Sequence, residues 1–86
     1  MLKIWAKAMI KDKIVKDQMY RRYEKYDSDK FMEYLVEICH EFDYPTPIVL
    51  KSHIKNFNEF NITRFKASDF VEPIEFETLV LENASD

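Results

Sequence analysis

The chain has 86 residues, 47% hydrophobic and 15% aromatic, enough for one compact core and too apolar for a disordered segment. Glycine is absent, where about six would be usual at this length, and this excludes phosphate-cradling loops, dinucleotide fingerprints and the nucleophile elbow as sequence matches. A formal net charge of -3 with interspersed signs gives no overall attraction for a phosphate backbone or an anionic membrane, so any such binding has to be local.

Residues 2–10 alternate, with Leu2, Ile4, Ala6, Ala8 and Ile10 on one side and Lys3, Trp5, Lys7 and Met9 on the other. That pattern predicts a half-buried strand. Lys11, Asp12 and Lys13 break it, and a β-hairpin into a second strand reaching about Tyr23 is the preferred reading, with Asp12 accepting the turn geometry. Val15, Met19, Tyr23 and Tyr26 also fall at helical spacing, so a helix over residues 14–26 is the competing reading.

The clearest periodicity lies in residues 28–43. Phe31, Leu35, Ile38 and Phe42 form a helical stripe, widened by Met32, Val36 and Cys39, with Lys30, Glu33, Glu37, His40 and Glu41 opposite. Asp27, Ser28 and Asp29 supply capping oxygens. Glu33, Glu37 and Glu41 recur every four residues on the solvent side, so removing Glu37 is expected to cost little or to relieve repulsion.

A second helix is expected from Pro47 to about Phe57 or Glu59, capped by Thr46, with Leu50, Ile54 and Phe57 as its stripe. Residues 62–67 read as a strand. Ser68 and Asp69 are expected to cap a turn containing Phe70 and Val71 that Pro73 closes, and residues 74–81 read as a last strand, with Glu75 and Glu77 on one face. Residues 83–86 read as a loose tail. The order β-β-α-α-β-β over a single domain, residues 1–86, predicts an α+β two-layer sandwich: an antiparallel sheet of three to four strands with both helices on one face.

No motif specifies a reaction. The leading expectation is a non-catalytic protein that associates with itself, as a homodimer, or with another protein, through Trp5 and Met9 on the sheet face the helices leave uncovered. An alternative from another class is single-stranded nucleic-acid binding by Tyr20, Arg21, Arg22, Tyr23 and Lys25, where bases and phosphates meet aromatic and basic groups, although Glu24 and Asp27 dilute the charge. A third is a small enzyme whose pocket joins His53 and Arg64 to a carboxylate of the late acidic run, Asp69 first among Glu72, Glu75, Glu77 and Glu82. Cys39 and His40 are adjacent, and helical neighbours point about 100° apart, so they do not share a metal; no metal or cofactor is expected. With a single cysteine, no intramolecular disulfide, no leader-like segment and no long apolar run, the expected location is cytoplasmic.

Overall fold

In the computed structural model, which describes residues 1–85, the order is β1 (Leu2–Ile10), β2 (Lys13–Arg22), α1 (Phe31–Phe42), α2 (Lys51–Phe60), β3 (Ile62–Lys66) and β4 (Thr78–Asn83). The four strands form one antiparallel sheet in the order β2-β1-β4-β3, with both helices packed on one face. This is the two-layer arrangement that the element order predicts. The even residues of β1, Leu2, Ile4, Ala6 and Ala8, are buried in one core with Phe31, Tyr34, Leu35, Ile38, Cys39, Phe42, Phe57, Phe65, Leu79 and Leu81. The helix over residues 14–26 does not form, because β2 pairs along its whole length with β1.

The hairpin between β1 and β2 has a two-residue turn, and both Lys11 (φ 48°) and Asp12 (φ 65°) are left-handed. A primed turn of that kind matches the right-handed twist of its strands. Asp12 was foreseen and Lys11 was not; the Lys11 N–H donates to Glu77 Oε1 at 2.7 Å, which helps hold it. Both helices end where glycine is usual on left-handed Asp43 (φ 61°) and Asn61 (φ 60°), residue types whose short polar side chains tolerate this region. Ahead of α1, a 3-10 turn at Ser28–Lys30 is capped by Asp27, whose side chain accepts from the Asp29 N–H.

Five expectations need correction. Met32 and Val36 are exposed, and the stripe of α1 widens on its other flank through Tyr34. The second helix starts at Lys51 and not at Pro47, because the Leu50 N–H is met by His53 Nδ1 at 2.9 Å, and its buried residues are His53 and Phe57 while Leu50 is exposed. Residues 74–77 precede the last strand, which begins at Thr78, so Glu75 and Glu77 do not share a strand face. The tail is tied: Ala84 N–H donates to Lys3 O at 2.9 Å, and Lys3 N–H donates to Ser85 Oγ at 2.9 Å; Asp86 lies outside the described residues. Finally, Glu37 is not a free solvent group, since it accepts from the Tyr20 hydroxyl and pairs with Arg22 Nη1 at 3.2 Å.

Candidate functional site

The sheet face away from the helices carries the odd residues of β1. Trp5 and Met9 both lie there, half-buried. A bulge decides what stands beside them: the register passes from Met9↔Ile14 to Ala8↔Lys16, so Val15 is the extra residue. Beyond it Trp5 faces Met19, Lys3 faces Arg21 and Lys7 faces Asp17 on β2, while on the other side Trp5 faces Glu82 and Lys7 faces Val80. At the far edge Ile62, Arg64 and Lys66 follow across β4. An apolar strip of Met19, Trp5, Met9, Val80 and Ile62 thus runs among five cations (Lys3, Lys7, Arg21, Arg64 and Lys66) and two carboxylates (Asp17 and Glu82). With Lys11, Asp12 and Glu77, which line the same face at the hairpin end, six cations against four carboxylates give it a formal charge of +2 on a chain of -3. The signs that interleave in sequence are segregated in space.

Lys7 organises the centre. Its ammonium lies 3.9 Å from the Trp5 ring centroid and 3.1 Å from Glu82 Oε1, a cation–π contact closed by an ion pair. The residue is only 9% exposed and Val80 beside it 4%, since the lysine stem lies over apolar surface. The indole N–H of Trp5 donates to Asp17 Oδ2 at 2.8 Å. The indole is therefore held in one orientation by Lys7 and Asp17.

The basic-aromatic segment is divided by the same bulge. Tyr20 and Arg22 turn toward α1, whereas Arg21 shares the open face, Lys25 is exposed and Tyr23 is 93% exposed. Arg22 is held by Glu24 (3.0 Å), Glu37 (3.2 Å) and Glu33 (3.4 Å). Burial, and then the hydrogen bond to Glu37, push the Tyr20 hydroxyl well above its ordinary pKa. Tyr34 is raised by burial first as well, and its hydroxyl donates to Glu24 Oε2 at 2.9 Å. Gln18, Tyr20 and Arg22 alternate along β2 and reach Glu41, Glu37 and Glu33 on α1. Two residues of strand and four of helix each advance about 6 to 7 Å, so the two rows match.

His53, Arg64 and Asp69 do line one open groove of about 670 Å³. His53 Nε2 lies 3.4 Å from Asp69 Oδ2. Its Nδ1 accepts from the Leu50 N–H, which places the proton of the neutral ring on Nε2, facing the carboxylate. Asp69 Oδ2 also accepts from the Lys66 N–H at 2.9 Å. Both ring nitrogens are engaged, and the pair clasps the start of α2 to the 3-10 turn Ala67–Asp69. Two of the other late acids stand apart from it: Glu77 bonds the hairpin turn and Glu82 bonds Lys7.

Cys39 is buried while His40 is exposed, as their adjacency on a helix requires. Burial raises the thiol to about 11, which leaves little thiolate near neutral pH. No group of three or more His, Cys, Asp or Glu side chains fit to hold a metal ion occurs among the described residues, and no helix among them is long and apolar enough to cross a membrane. The sequence reading found Trp5 and Met9 but missed Met19, Val80, Ile62 and the cations around them, because their placement depends on strand order and on the bulge. Set against protein-family models, curated proteins and solved structures, the chain matches none of them.

Proposed function

We propose that the protein is a non-catalytic association module that docks through its open sheet face onto an acidic surface of a partner protein. The observation that carries this reading is the apolar strip around Trp5 set among cations, on the side of the sheet opposite the helices. Tryptophan and arginine are the residues that most often anchor interfaces, and a fixed indole loses little freedom on binding. Two copies meeting face to face would bring +2 against +2, and like charges juxtaposed across an interface are unfavourable, so a partner of opposite charge fits better than a homodimer. Single-stranded nucleic acid is less well supported, since Lys7 already covers the Trp5 ring and Tyr20 and Arg22 face α1. A cytoplasmic setting goes with this reading.

Trp5 is the only tryptophan, so its fluorescence reports on this face directly. Titration with polyglutamate at low salt is expected to change the emission saturably, and the response should weaken steeply as salt rises. The double variant Lys3→Glu, Arg21→Glu, which exchanges two outward cations, should lose it. An unchanged response in that variant, or a response to an oligonucleotide and none to polyglutamate, would overturn the reading.

A further inference from the structure

We propose that the free edge of β3, with the stripe of α2 beside it, takes up an extended peptide of a partner protein as a fifth strand, apolar side chains toward α2 and carboxylates toward Arg64 and Lys66. This surface lies at the far edge of the sheet, two strands from Trp5, and shares Ile62, Arg64 and Lys66 with the open face. Ladder parity supplies the first step. Asn83 N–H donates to Asn61 O at 2.7 Å and Ala67 N–H donates to Glu77 O at 3.0 Å, and in an antiparallel pair such bonds recur at every second residue. Thr63 and Phe65 therefore commit their backbone groups to β4, while Ile62, Arg64 and Lys66 turn theirs outward. The Lys66 N–H is taken by Asp69. Left over are both backbone groups of Ile62, both of Arg64 and the carbonyl of Lys66, the row that an added strand uses.

The groove of about 670 Å³ runs along this row, lined on its helix side by Ser52, Asn56 and Phe60 at four-residue spacing and on its strand side by Ile62, Arg64 and Lys66. Thr63 lines it as well; this residue is 2% exposed, and its hydroxyl is the one buried side-chain polar atom without a partner among the described residues. Leu50 and Phe60 line the same groove and are 53% and 65% exposed. Ten residues of helix separate them by about 15 Å, close to the ~13 Å between positions i and i+4 of a strand. Apolar residues at those two positions therefore reach both. Side chains at i+1 and i+3 fall on the other face, where Arg64 and Lys66 have no ion-pair partner among the described residues. Carboxylates belong there. A second copy pairing its own β3 across a two-fold axis at Arg64 would set arginine against arginine, which is unfavourable.

The probe is a fluorescein-labelled peptide containing leucine-aspartate-valine-glutamate-phenylalanine, titrated with the full chain and followed by anisotropy. Saturable binding is expected, with affinity falling roughly tenfold or more when the two acids become lysine, through loss of two charge-assisted contacts. Arg64→Pro removes an N–H that β4 does not use, a change edge strands accept, and should abolish binding while keeping the wild-type urea midpoint. If that variant unfolds, a peptide N-methylated at its central residues replaces it and should not bind. Trp5 stands two strands away on β1, so loss of peptide binding in Trp5→Ala would place the peptide on the Trp5 strip and overturn the proposal. Absence of binding up to about 1 mM, equal binding of the lysine peptide, or a peptide-free dimer in sedimentation that Arg64→Pro dissolves would each overturn the proposal.

Discussion

Glu37 shows how much a single carboxylate changes meaning when its neighbours across space are known. On α1 alone it stands between Glu33 and Glu41 and only repels. In the fold it accepts from Tyr20, which is 6% exposed, and from Arg22, so Glu37→Ala leaves a buried hydroxyl without its acceptor. The expected cost is about 1 to 3 kcal/mol. Leu35→Ala, at a fully buried position of the same helix, is expected to cost about 2 to 5 kcal/mol. Glu59→Ala, at an exposed acid of α2, should fall within about 0.5 kcal/mol of wild type. Urea denaturation of the three variants tests the ranking, and a Glu37→Ala midpoint equal to that of Glu59→Ala would mean the contact to Tyr20 contributes nothing. Cys39 gives a kinetic check at the same scale. With its thiol pushed up to about 11 by burial, it should react with a thiol reagent in the native protein far more slowly than after unfolding.

At the level of elements, both helices and strands β1, β3 and β4 were legible in the sequence, because hydrophobic period separates LKIWAKAMI from FMEYLVEICHEF, whereas residues 14–26 fit both periods and only pairing with β1 decides for a strand. Boundaries were less so, and for identifiable reasons. α2 begins late because a histidine side chain substitutes for the missing cap, and no propensity encodes that contact. The bulge at Val15 was invisible, yet it sets the chemistry of the open face. A regular ladder continued from Ile10↔Lys13 would place Gln18 opposite Trp5 and turn Tyr20 and Arg22 outward. One extra residue reverses this, because side chains alternate with a period of two. Deleting Val15 makes Lys16 follow Ile14 directly, so Met9↔Ile14, Ala8↔Lys16 and Trp5↔Met19 become one unbroken ladder and Tyr20 and Arg22 keep their side of the sheet. The deletion is therefore expected to cost only about 1 kcal/mol. Val15→Thr keeps the extra residue at an exposed site and should change stability by less than about 0.5 kcal/mol. A urea midpoint for the deletion far below that of the substitution, as low as that of Glu37→Ala or lower, would mean that residues 16–22 do not hold this register.

For the whole molecule, ionisable groups in the core set the pH range over which the fold holds. Tyr20, Tyr26, Tyr34, Tyr44 and Cys39 are all raised, in each case chiefly by burial. Each binds its proton more tightly folded than unfolded. Its contribution is complete below the unfolded value, 9.0 for the thiol and 10.0 for the phenols, and is lost as pH rises toward the folded value. Glu24 pulls the other way: the Tyr34 hydrogen bond, chiefly, lowers its pKa below 4.5, so its contribution is present above that value and is lost as pH falls through the lowered one. Stability should thus be level near neutrality, weaken slightly in acid and fall steeply on the alkaline side from about pH 9. Tyr44 offers a clean probe. Its ring packs between Phe42 and Phe76, at 5.2 Å and 4.6 Å between centroids, and its hydroxyl has no hydrogen bond among the described residues. Tyr44→Phe should therefore match wild type in urea at about pH 7 and exceed it at about pH 10.5, where only the wild-type ring still gains by ionising on unfolding. The same difference between variant and wild type at both pH values would mean that burial of this phenol does not drive the alkaline loss.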